Sequence, residues 1–191
     1  LMTSRTKALL GVLGACVVAG AAVLWANRPA PPNALSPFIV PDNVKQARGG
    51  APPVLFDSPK FTMTDQDGQP AGDGQLKGKV WIADFIFTNC GGTCPMMTDK
   101  MRKLEQVLPA EIHMLSITVD PDRDTAKALA AYAAEQGATR ARWLFLTGDK
   151  QALYDLCMRG FKLPLDPSSG TTLEPIAHST RFVLVDKNAE I

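Results

Sequence analysis

Apolar positions along this chain follow two alternating rhythms, broken by clusters of turn residues. Val80-Trp81-Ile82-Ala83-Asp84-Phe85-Ile86-Phe87 is almost continuously apolar and rich in aromatic and β-branched types, which predicts a buried strand. Behind it, Met97, Met101, Leu104 and Leu108 recur at helical spacing, and Pro109 ends that helix. Ile112 to Val119 predicts a second core strand. Thr125 to Gln136 predicts an Ala-rich helix with Asp124 as its cap and Gly137 as its stop. Trp143 to Thr147 predicts a third core strand. A further helix is expected from an Asp149 cap to Gly160, with Ala152, Leu153, Leu156 and Cys157 as its apolar stripe. Phe61 to Thr64 with the Asp67-Gly68 turn predicts an opening hairpin, and Phe182 to Val185 the last strand. Strands alternating with helices of this length imply an α/β fold built from right-handed βαβ units.

The first quarter of the chain follows a different pattern. Arg5 and Lys7 precede 19 uncharged residues, Ala8 to Ala26. At about 1.5 Å per residue a helix of that length spans roughly 28 Å, close to the hydrocarbon thickness of a bilayer. Residues 1–26 are therefore expected to form an uncleaved membrane anchor with Trp25 at an interface and the N-terminus in the cytoplasm. A cleaved signal peptide normally has a shorter apolar core. Leu13-Gly14-Ala15-Cys16 has some likeness to a lipidation signal at Cys16, but nine further uncharged residues follow it. Residues 27–53 carry Pro29, Pro31, Pro32, Pro37, Pro41, Pro52 and Pro53 and predict a stiff, extended spacer. Residues 54–191 are then the folded domain, placed outside the cytoplasm. A Leu precedes Met2, and the apolar strand at 182–185 has no evident hairpin partner before the chain stops at Ile191. The sequence thus reads as a fragment lacking a C-terminal strand and helix.

With 46% hydrophobic residues the chain can bury a proper core. Twenty basic against 19 acidic residues, a net charge of +1, give no electrostatic case for nucleic-acid binding.

The chemistry is concentrated in Cys90-Gly91-Gly92-Thr93-Cys94-Pro95, directly after the first core strand. Pro95 suits a first helical position, so both sulfurs stand at a strand-to-helix turn, where the helix N-terminus favours thiolates. Such a thiolate attacks a disulfide or ligates a soft metal. Three residues separate the cysteines, unlike the Cys-x-x-Cys of thioredoxins, and no His follows as in a c-type haem site.

Five blocks, in order, resemble the Sco family of copper-binding, membrane-anchored proteins that serve cytochrome c oxidase assembly. They are Asp84-Phe85-Ile86-Phe87-Thr88-Asn89-Cys90, Cys94-Pro95, Thr118-Val119-Asp120-Pro121-Asp122-Arg123-Asp124-Thr125, Leu146-Thr147-Gly148, and His178-Ser179-Thr180. They span about two-thirds of the chain. The resemblance implies a thioredoxin-like fold and copper ligands at Cys90, Cys94 and His178. It also implies an oxidase subunit or another copper chaperone as partner, and a bacterial inner membrane with the domain in the periplasm. Gly91-Gly92-Thr93 departs from relatives that carry Pro and an acidic residue there, which loosens the loop but keeps all three ligands. The donor types agree, since soft thiolates favour Cu(I) and an imidazole extends the site to Cu(II). Zinc fits less well, because three ligands leave a structural set incomplete.

The competing reading is a thiol–disulfide oxidoreductase in which Cys90 attacks and Cys94 resolves. Thioredoxin-type reductases place a proline just before the strand facing the active site. Here His178-Ser179-Thr180 fills that region and the nearest proline is Pro175, which favours metal binding. A peroxidase reading lacks its Thr-x-x-Cys arrangement. Among the remaining residues, Asp84 has the spacing of a buried acid that assists a thiol, or of a structural hydrogen-bonding group. Asp120, Asp122 and Asp124 suit turns and caps, with the orientation of a ligand as the competing role for one of them. Met97 and Met101 lie on the helix's apolar stripe and predict core packing, against a copper relay with Met96. Cys157 is expected to be buried and inert, and His113 to face solvent.

Overall fold

The computed structural model describes residues 54–172 and 175–191. The proposed anchor at 1–26 and spacer at 27–53 lie outside the described residues. Among those described, no helix is long and apolar enough to cross a membrane.

A six-stranded sheet organises the domain. Its strands are β1 (Thr62–Asp65), β2 (Pro70–Gly72), β3 (Trp81–Ile86), β4 (His113–Thr118), β5 (Trp143–Thr147) and, last in the chain, Val183–Val185, in the spatial order β2-β1-β5-β4-β3 and then that last strand. β3, β4 and β5 run parallel, as βαβ units require; the β1–β2 hairpin and the C-terminal strand flank them antiparallel. The helices are α1 (Asp73–Leu76), α2 (Cys94–Val107), α3 (Ala126–Gln136) and α4 (Lys150–Asp155).

All six residues of β3 are buried, because both faces of the sheet are covered. Alternation along the strand sends Ile82 and Ile86 into a core with Met101 and Leu104 of α2, Leu129 and Ala133 of α3, and Trp143 and Phe145 of β5. Trp81, Phe85 and Phe87 enter the opposite core with Phe61, Leu153, Cys157 and Phe161.

Local signals act largely where expected. Gly137 ends α3 in the left-handed region at φ 68°, its N–H reaching the carbonyls of Ala133 and Ala134. Asp149 accepts from Ala152 N at 2.9 Å and caps α4. Two expectations are corrected. The helix after Asp149 stays α-helical only to Asp155. Residues Leu156–Gly160 widen into a π-turn, with Phe161 N bonding Leu156 O at 2.8 Å, and this turn buries Leu156 and Cys157. Nor does Asp124 cap α3. Thr125 does so, its hydroxyl accepting from Ala128 N at 3.3 Å, while Asp124 turns into the interior.

Two short elements complete the chain. β6 (Leu165–Asp166) pairs antiparallel with β7 (Ala177–His178), and the strand Val183–Val185 is β8. Past β8 the chain turns at Asp186–Glu190, and Ile191 and Ala189 bond to Leu55, Phe56 and Ser58. β8 buries Val183 and Val185 and leaves Leu184 outside.

Candidate metal centre

Cys90 and Cys94 stand beyond the C-terminal end of β3, where the strand hands over to α2. Cys94 is itself the first helical residue, with Pro95 behind it, and Met97 N closes the first turn on Thr93 O at 3.1 Å. Both thiols are reduced and buried; Cys94 is fully enclosed and Cys90 is 9% exposed.

His178 arrives from 84 positions later in the chain. The β6–β7 ladder pairs it with Leu165, and the edge of its ring meets Phe87, centroids 5.6 Å apart. Its Nε2 lies 3.1 Å from Cys94 Sγ, and its Nδ1 lies 3.0 Å from the carbonyl of Ser179. A carbonyl can only accept, so Nδ1 carries hydrogen there and the nitrogen facing the sulfur is Nε2. Fixing one ring nitrogen on a carbonyl is the arrangement that aims the other at a metal.

The structure therefore brings Cys94 and His178 together and sets Cys90 at the start of the same loop. Among the described residues, no three Cys, His, Asp or Glu side chains are gathered closely enough to hold a metal ion as they stand. A three-ligand site requires Cys90 to swing onto the existing pair, and Gly91-Gly92 supply a backbone that permits this.

The surroundings sort the remaining candidates. Asp84 is fully buried; Ser116 Oγ donates to its Oδ1 at 2.7 Å while accepting from Trp143 Nε1 at 3.0 Å. Among the described residues its Oδ2 has no partner. Burial pushes this carboxyl up to about 7, against the lowering effect of Ser116 and its own backbone amide. Tyr132, whose hydroxyl shares a 2.9 Å hydrogen bond with Thr98, is raised by burial and by the nearby charges of Cys94, Asp84 and Cys90. Asp120 holds a turn, its carbonyl accepting from Arg123 N and Asp124 N, and Asp122 pairs with Lys150 at the surface. Met97 and Met101 are buried, and Met96 is 53% exposed. Cys157 is enclosed, its thiol pushed up to about 12 by burial, as an inert core residue would be. His113 stands at the start of β4, half-buried and still partly exposed to solvent.

Sequence reasoning missed the β6–β7 ladder that carries His178 and the edge contact of Phe87. It also missed the reach of Asp124 into the Cys90 loop, where Thr88 N and Thr88 Oγ1 donate to it at 3.0 and 2.5 Å and Thr118 Oγ1 at 2.5 Å. The block around Asp124 was visible in the sequence. Its direction was not.

The SCO1/SenC family model matches residues 55–191. The SCO1 protein homolog of Bacillus subtilis is 35% identical over 143 residues, 73% of this chain and 73% of that protein. Four other curated relatives are covered over 63–66% of their own length. Among solved structures, BsSco, a member of the Sco family of cytochrome c oxidase assembly proteins with an identified disulfide switch, is 34% identical with a TM-score of 0.62, over 72% of this chain and 81% of that one. Yeast Sco1 with copper bound is 25% identical with a TM-score of 0.57, over 73% and 78%. The thioredoxin-like α/β fold is shared with these neighbours. Fold, matched span and identity together establish that the chain belongs to the SCO1/SenC family.

Proposed function

We propose that this protein is a membrane-anchored copper metallochaperone. It binds copper through Cys90, Cys94 and His178 and passes it on during assembly of the copper site of cytochrome c oxidase. The observation that carries the reading is the 3.1 Å approach of Cys94 Sγ and His178 Nε2. Two residues far apart in sequence present a soft sulfur and an oriented imidazole to one point, a donor set suited to both copper oxidation states. The copper-bound yeast relative and the oxidase-assembly role of BsSco support it. The cargo displaces the thiol protons, and Cys90 closes on the pair. Residues 8–26 hold the domain at the outer face of the cytoplasmic membrane, in the periplasm of a bacterium.

A second reading keeps the same sulfurs and makes the protein a thiol–disulfide oxidoreductase. The contact of the Cys94 thiol with an imidazole favours it, since an adjacent base activates a thiol. Both states draw on the same two sulfurs, so copper and a Cys90–Cys94 disulfide exclude one another.

His178→Ala separates the two. For a chaperone, Cu(II) affinity falls by at least about tenfold while Cu(I) falls less, because imidazole suits the harder ion and two thiolates retain the softer one. Anaerobic titration of the reduced protein with each ion, beside disulfide reduction kinetics, reads both arms. Unchanged Cu(II) affinity in a folded variant removes His178 from the site and leaves the oxidoreductase.

A further inference from the structure

Asp124 is fully buried, yet it does not cap the helix it precedes, and among the described residues its donors are threonines and not cations. Its carboxylate instead gathers three donors. Thr88 N and Thr118 Oγ1 bond Oδ2 at 3.0 and 2.5 Å, and Thr88 Oγ1 bonds Oδ1 at 2.5 Å. Thr118 is the last residue of β4, and its hydroxyl oxygen also accepts from Asp120 N at 2.9 Å. Asp124 N in turn bonds Asp120 O at 2.8 Å. One carboxylate therefore ties the exit of β3, the exit of β4 and the entrance of α3 together. The β3 arm of this tie ends at Thr88, two residues before Cys90.

A buried carboxylate is costly unless its charge is answered by donors, and three charge-assisted hydrogen bonds to one side chain are a rigid arrangement. Beyond Thr88 the chain runs through Asn89, Cys90, Gly91 and Gly92 before α2 fixes it again at Cys94. The loop thus has a stationary root and a permissive middle. Cys90 is the proposed ligand that must travel, and the root defines the arc over which it does so.

We propose that Asp124 is the positioning residue of the Cys90 loop, clamping Thr88 so that Cys90 swings onto the Cys94–His178 pair instead of sampling a wide volume. The inference rests on the copper reading above for its metal arm and stands without it for its thiol arm.

The test compares the reduced chain carrying Asp124→Ala and Asp124→Asn with the wild type. Asparagine keeps the shape: its carbonyl oxygen can take Thr88 N–H and Thr118 O–H, and its amide can donate to Thr88 Oγ1. Two readouts are used. The first is iodoacetamide alkylation of each cysteine, resolved by peptide mass spectrometry. The second is Cu(II) affinity with the sulfur-to-copper charge-transfer spectrum. In the alanine variant Cys90 is expected to alkylate severalfold faster, while Cys157, fully enclosed deeper in the same core, stays protected. Cu(II) affinity is expected to fall by about 10–100-fold, with an altered charge-transfer band. The asparagine variant recovers most of both. Cys90 and Cys157 becoming reactive together would mean that Asp124 only stabilises the fold, and would overturn the proposal. So would an alanine variant with wild-type alkylation and Cu(II) binding, or an asparagine variant no better than alanine. If the wild type itself binds no copper, the metal reading fails, and Cys90 alkylation alone then decides the role of Asp124.

Discussion

Asp84 makes the pH dependence of stability a sharp test of the packing beneath α2. In the folded protein its carboxyl is enclosed and titrates at about 7, and in the unfolded chain it returns to the ordinary 3.8. Between those values the folded state holds a proton that the unfolded state has released, so this group's contribution to stability is full below about pH 4 and is lost as pH rises through about 7. At about 1.36 kcal/mol per pH unit, that interval corresponds to roughly 4 kcal/mol. Asp84→Asn removes the titration. Its carbonyl oxygen can keep the bond from Ser116, while its amide takes the place of Oδ2, which already lacks a partner. The variant is therefore expected to match the wild type within about 1–2 kcal/mol at pH 5, the scale of one unsatisfied buried polar group. At pH 8 it is expected to be more stable by several kcal/mol. The assay is urea unfolding of the reduced, metal-free chain at intervals from pH 4.5 to 8.5, plotted as variant minus wild type. Surface carboxylates such as Asp99, lowered by Lys103 and Arg102, are common to both proteins and cancel in that difference. A flat difference between pH 5 and pH 8 would refute the reasoning, since it would mean that water or a neighbour stabilises the ionised carboxylate in the folded state.

Further outcomes follow from other parts of the molecule. Arg142 donates to the carbonyls of Glu105, Leu108, Pro109 and Ile112 at 2.6–3.0 Å, closing the C-terminal end of α2. Arg142→Met should lower unfolding stability by about 2 kcal/mol without changing copper affinity, and a loss below about 0.5 kcal/mol by urea unfolding would count against that clamp. Oxidising Cys90 and Cys94 to a disulfide should abolish copper binding and restore it on reduction, so equal affinity in both states by titration would remove both sulfurs from the site. A reporter fused after Val185 should be active only if it is a type that works outside the cytoplasm; activity from a cytoplasm-only reporter would reverse the proposed topology.

How much of the fold was legible depends on the range of the interactions involved. β3, β4 and β5 could be read from apolar runs, and α2 and α3 from helical spacing, because each pattern records which faces must leave water. The turn glycines and the Asp149 cap were legible because they satisfy backbone groups within a few residues. The π-turn at Leu156–Gly160 was not, since its stripe reads like an ordinary helix. The turn places Leu156 and Cys157 in the same core as Phe61 and Phe161, a tertiary outcome that local spacing does not record.

The site divides along the same line. By itself the sequence determined that two cysteines stand at a strand-to-helix turn and that a distant His belongs to the same set of motifs. These follow from residue order and resemblance. Only the tertiary structure decided that Nε2 of His178 faces Cys94, held there by the Ser179 carbonyl and a two-residue ladder. It alone decided that Asp124 abandons the helix N-terminus for Thr88, while Thr125 takes the cap. Several acceptors in Asp120-Pro121-Asp122-Arg123-Asp124-Thr125 compete for few local donors. The competition is settled by which side chain the folded sheet encloses, because an enclosed carboxylate must find its donors wherever the fold supplies them.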